Sequence, residues 1–147
     1  MRPLLIVAVA ALLTAGAALA QPNTPTSMPE VKAQMQAKVD KTSTELFNTA
    51  GQADPENGPD QKLPDAAGWA KAKAQADQIK AVADWMQQPN NGKTAEANWM
   101  KSSKAMSDLA AAASKAAAAH DAKALAKAAN DLSDTCTACH AIYKKQN

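Results

Sequence analysis

Apolar residues recur along most of this chain at intervals of three and four. Val31, Met35, Val39, Leu46 and Phe47 form a first such stripe, from about Met28 to about Ala50. Ser27-Met28-Pro29-Glu30 ahead of it reads as a capping box with proline in the first turn. Gly51 to Pro64 holds two glycines and three prolines and breaks the pattern, which predicts a loop. Trp69, Ala72, Ala76, Ile79, Ala83 and Met86 then repeat at helical spacing within a second helix, from about Asp65 to Gln88, closed by Pro89-Asn90-Asn91-Gly92. Thr94 is the expected cap of a third helix carrying Trp99, Met106, Leu109, Ala113 and Ala116. His120-Asp121 marks the next break. Asp121 is the expected cap of a fourth helix with Leu125, Ala129, Leu132, Cys136, Cys139 and Tyr143 on one side, ending near Lys145.

The residues between the apolar positions are mostly Ala, Lys, Gln and Glu, which favour helix, and β-branched and aromatic residues are few. No strand is expected. Four helices with short connections pack as an antiparallel bundle around a shared apolar seam, so the predicted fold class is all-α. Alanine runs such as Ala110 to Ala113 and Ala116 to Ala119 imply helices in close approach and a core of modest size.

The N-terminus follows a different rule. Arg2 is a short positive segment, Leu4 to Leu13 is an unbroken apolar run, and Ala18-Leu19-Ala20 is an A-x-A cleavage site before Gln21. Residues 1–20 therefore read as a secretory signal peptide, too short for a membrane anchor, and residues 21–147 as one exported, periplasmic domain. The exported part carries 15 lysines against 14 carboxylates and no arginine, a balance that argues against nucleic acid as a partner. No later stretch is apolar enough to span a bilayer.

Candidate chemistry is concentrated in Cys136-Thr137-Ala138-Cys139-His140, which holds both cysteines and one of the two histidines. C-x-x-C-H is the attachment signal for c-type haem. On a helix, 136, 139 and 140 are related by i,i+3 and i,i+4 and project from one face. Two thioether bonds and one iron-ligating imidazole can thus grip a single macrocycle. A zinc site needs about four ligands, and only three are local. A thioredoxin-like pair belongs beside a βαβ unit, which this chain lacks. A thiol–disulfide protein is the alternative that stays open, and a Soret band separates the two.

In an up-down-up-down bundle, the end of helix four meets the start of helix one, the end of helix two and the start of helix three. Met35, Trp85, Met86, Trp99 and Met100 all fall within about two turns of His140 in height. Ordinary core packing accounts for most of them. His120 lies 20 residues before His140, about 30 Å along a continuous helix, and is expected at a helix end away from any haem.

The run Asp134-Thr135-Cys136-Thr137-Ala138-Cys139-His140-Ala141-Ile142-Tyr143-Lys144 resembles the C-terminal motif of the cytochrome c′ family, the class II c-type cytochromes, with an aromatic three residues after the haem histidine and a basic residue next. The resemblance extends more weakly over residues 28–147. It implies one covalent haem c on Cys136 and Cys139, with iron held by His140 and a distal residue from helix one, at Met35. A methionine there is a soft donor suited to iron and, with histidine, raises the reduction potential over bis-histidine ligation. Reserve candidates at the same height are Met86 and Met100. The family divides into low-spin electron carriers and five-coordinate members that bind nitric oxide or carbon monoxide. The Met35 assignment favours a periplasmic electron carrier working with redox partner proteins, with gas binding as the alternative. Catalysis such as peroxidase chemistry is not expected, because no distal histidine or arginine is at hand. Relatives often dimerise through their first two helices, and the missing arginine leaves lysines or water to take any role it has near the haem.

Overall fold

The computed structural model describes residues 28–144, and all regular structure among them is helical. The expected signal peptide and Ser27 cap lie outside these residues. There are five helices: α1 (Met28–Lys38), α2 (Asp40–Ala53), α3 (Ala66–Met86), α4 (Ala97–Ala118) and α5 (Ala122–Tyr143), with a single 3-10 turn at Pro55–Asn57. No described helix is long and apolar enough to cross a membrane.

The first expected helix is two helices. Val39 departs from ideal helix at φ −111° and ψ −45°. Its N–H still donates to Met35 O at 2.8 Å, and its carbonyl accepts from Ser43 N at 2.7 Å. The Lys38 carbonyl accepts from Gln78 Nε2 at 2.9 Å, across to α3. Just beyond Val39, the Ser43 and Thr44 hydroxyls both donate to the Asp40 carbonyl at 3.1 and 2.9 Å. The rod also runs past Ala50 to Ala53, because Gly51 is accommodated in the last turn.

Asp54 accepts from Glu56 N at 2.9 Å to start the 3-10 turn. Asn57 Nδ2 donates to Gly51 O at 2.8 Å, and Lys62 N to Gln52 O at 2.7 Å, so the connection is laced to the end of α2. Asp65 caps α3 by accepting from Gly68 N at 2.7 Å. Asp121 caps α5, as its position predicted, through Ala124 N at 2.9 Å. Thr94 caps nothing. The cap position of α4 is Glu96, without a side-chain bond, because the chain first turns through Asn90 (φ 70°) and Gly92 (φ 65°).

Cross-helix bonds fix the directions. Ser107 Oγ donates to Asp84 at 2.5 Å and Ser114 Oγ to Asp77 at 2.6 Å. As residue numbers rise on α4 they fall on α3, so the pair is antiparallel. Tyr143 OH donates to Glu96 Oε2 at 3.0 Å, which sets the C-terminal end of α5 beside the start of α4. Gln75 Nε2 donates to Glu45 Oε2 at 2.7 Å and Gln78 Nε2 to Lys38 O at 2.9 Å, giving the same antiparallel sense between the first rod and α3. The α3–α4 and α4–α5 interfaces are the most extensive. α2 closes the ring against α3 and α5, and α1 leans on α2 and α3.

The core runs through this ring. All six residues of the expected α3 stripe are buried, together with Leu46, Leu125 and Leu132. Ala110, Ala113, Ala117 and Ala129 are at most 3% exposed, which is what lets the helices approach closely. At the α4–α5 turn His120 takes φ 55°. Its N–H donates to Ala117 O at 3.1 Å and Asp121 N to Ala116 O at 2.9 Å, the paired bonds of a Schellman cap. The imidazole stacks on Trp69 with centroids 5.2 Å apart. His120 is thus a helix-end residue at the end of the bundle opposite His140, as expected from sequence.

Candidate functional site

The last two turns of α5 carry Cys136, Cys139 and His140, and all three line one cavity of about 370 Å³. That volume lies within the usual range of small-molecule and cofactor sites. Opposite them stands the first rod, contributing Met28, Val31, Met35, Val39 and Phe47. Met86 at the end of α3, and Trp99, Ser102, Ser103 and Met106 on α4, complete the interior, with Tyr143 one turn beyond Cys139 on α5. Exposed Lys32, Gln36, Asp40 and Lys144 stand at its edge. The helix ends that the topology brings to this level therefore line one cavity, and a second cavity lies beside Asp54, Asp121 and Lys127 at the opposite end.

A hydrogen-bonded aromatic corner packs at this end. Trp99 is 1% exposed. Its Nε1 donates to Met86 O at 3.0 Å, one of the carbonyls that α3 leaves free at its C-terminus. Its ring meets Tyr143 edge-on, with centroids 5.1 Å apart and planes at 83°. Tyr143 is anchored in turn by Glu96. Burial, together with the Glu96 carboxylate, raises the Tyr143 phenol above its ordinary range, so it stays a neutral donor. Gly92 completes the corner: a Cβ there would lie 2.3 Å from Trp99 Cζ2.

Both cysteines are free and half-buried. Burial pushes the Cys136 thiol up, and the neighbouring Cys139 adds to the shift. Burial also raises Cys139, against an opposing hydrogen bond from Ser102. Dithiols that exchange with disulfides need a lowered pKa and an electropositive setting. Both thiols here are raised rather than lowered. His140 is exposed at the cavity mouth. Among the described residues no group of three or more His, Cys, Asp or Glu is arranged to hold a metal by itself.

Of the expected site residues, Met35 is half-buried and on the cavity wall, together with the three residues of the motif. Met86 also lines the cavity, but Met100 and Trp85 do not and pack against the core instead. Height alone selected those two, and height says nothing of which side of a helix a residue occupies. Met106, Phe47, Ser102 and Ser103 were missed. The apolar stripe already contained Met106 and Phe47, while two adjacent serines give no sequence signal of facing a cavity.

No family model, curated protein or solved structure matches this chain.

Proposed function

We propose that this chain is a periplasmic monohaem c-type cytochrome that carries electrons between redox partner proteins. The observation that carries the reading is the placement of the whole C-x-x-C-H motif on one face of α5, against an apolar cavity with a methionine on the opposing rod. The residues fit a haem c. Cys136 and Cys139 would hold it through thioether bonds, His140 would ligate iron from the α5 side, and Met35 would supply a thioether sulfur from α1. A bound haem supplies a one-electron couple.

The chain's own residues do the rest. Val31, Val39, Phe47, Trp99 and Met106 exclude water, and a low-polarity shell favours the less charged state of an iron centre. Trp99, Tyr143 and Glu96 keep the last turns of α5 in register with α4, which positions His140. The position of His140 at the mouth leaves one edge of the site near solvent, where a partner protein can approach.

Met35→Leu tests the carrier role. It keeps the apolar volume and deletes the donor. Absorption spectra of the ferric protein should change from low-spin to high-spin, with a lowered potential and faster carbon monoxide binding. A wild type that is already high-spin, or a low-spin Met35→Leu, rejects methionine ligation. One observation favours a second reading. Val39, one turn after Met35, lines the same cavity and is only 6% exposed. If Val39 rather than Met35 faced the bound group, it would crowd the iron without ligating it, as in the gas-binding cytochromes c′, and a high-spin wild type selects that reading.

A further inference from the structure

Ser103 is 1% exposed, and its Oγ is a buried polar atom without a hydrogen-bond partner. It also lines the cavity. A buried hydroxyl left unpaired is costly, so native chains rarely keep one without a purpose. Its neighbours on α4 show why it is unpaired. Ser103, Ser107 and Ser114 lie on the stripe that faces α3, and the latter two donate to Asp84 and Asp77. α3 ends at Met86, so no third carboxylate stands opposite Ser103. Ser102, about 100° around the helix, bonds to Cys139 and so faces α5. Ser103 therefore belongs to the part of the cavity wall turned away from the haem-attachment motif.

We infer that Ser103 is the cavity's interior hydrogen-bond donor, and that it donates to an uncharged acceptor held across the iron from His140. The inference rests on the haem reading in its five-coordinate form, with Met35 off the iron. The charged residues of the lining, Lys32, Asp40 and Lys144, are all exposed. A carboxylate beside Ser103 would be buried without a cation, which is far costlier than the unpaired hydroxyl. Acidic substituents of a bound macrocycle accordingly face Lys32 and Lys144 at the edge. A neutral ligand with partial negative charge on its outer atom suits Ser103, and the hydroxyl discriminates in its favour over ligands that accept hydrogen bonds poorly.

Carbon monoxide on the reduced holoprotein is the probe, in a Met35→Leu background so that the position is open. Ser103→Ala should move the C–O stretching band to higher frequency, because a donor at the oxygen weakens that bond. It should also quicken carbon monoxide dissociation by about 2- to 10-fold, as expected for one hydrogen bond. Ser103→Thr, which keeps the hydroxyl, should leave band and rate close to those of the Met35→Leu parent. An unchanged band and rate in Ser103→Ala overturns the inference while leaving the cytochrome reading intact. A purified protein without a Soret band overturns both.

Discussion

Gly92→Ala is the substitution that most directly loads the aromatic corner of the cavity. The new Cβ would sit 2.3 Å from Trp99 Cζ2, 2.8 Å from Cη2 and 2.9 Å from Cε2, distances at which something must move. The backbone resists, because φ is +65° and a left-handed conformation costs an L-residue about 1–2 kcal/mol. The indole resists as well, held by the Met86 carbonyl and the Tyr143 ring. Displacing it adds roughly 1–3 kcal/mol for overpacking. Leaving Nε1 or the carbonyl unpaired adds about 1–3 kcal/mol more. These costs overlap, since a shift of the ring relieves the clash, and a total of about 3–5 kcal/mol is expected. That is a large part of the usual stability of a domain and, at this size, about 10 °C or more in melting temperature. Thermal unfolding followed by far-UV circular dichroism measures it. Gly51→Ala is the matched control: it lies in the last turn of α2 with nothing within 4 Å of the added methyl. It should stabilise by about 0.5 kcal/mol through the unfolded chain. A Gly92→Ala protein as stable as wild type refutes the close approach of Gly92 to Trp99.

The α3–α4 seam carries a pH dependence. Hydrogen bonds from Lys80 and then Ser107 hold the Asp84 carboxyl below its ordinary range, and Lys73 and then Ser114 do the same for Asp77. The unfolded chain therefore binds protons on these groups at higher pH than the folded one. Their contribution is full at neutral pH and is lost as pH falls below about 4. Ser107→Ala with Ser114→Ala should cost about 1 kcal/mol per bond at neutral pH, discounted because both carboxylates are nearly half exposed, and urea titrations should show the deficit vanishing near about pH 2. Tyr143→Phe keeps the ring contact with Trp99 and deletes the bond to Glu96, so it should lower stability by about 1 kcal/mol.

Much of the architecture is legible in the sequence because helical periodicity and turn residues report it directly. The α3 stripe, the Asp121 cap and the common height of Met35, Met86 and His140 all follow from spacing. The break at Val39 does not, since the apolar stripe runs through it undisturbed. Thr94 looks like a cap, but Gly92 and Asn90 adopt left-handed turns that postpone the helix to Ala97. Met100 and Trp85 show the limit of arguing from height without rotation about the helix axis. Ser103 became visible only once its surroundings did.

Covalent attachment at Cys136 and Cys139 is the claim on which the functional reading depends. The decisive measurement is the mass and absorption spectrum of the purified protein after full denaturation and acid–acetone extraction. A chain heavier by one haem that keeps its Soret absorbance is expected, with both lost from the Cys136→Ala/Cys139→Ala protein. A denatured wild-type chain at the mass of the bare polypeptide, with two free thiols or one disulfide, contradicts it.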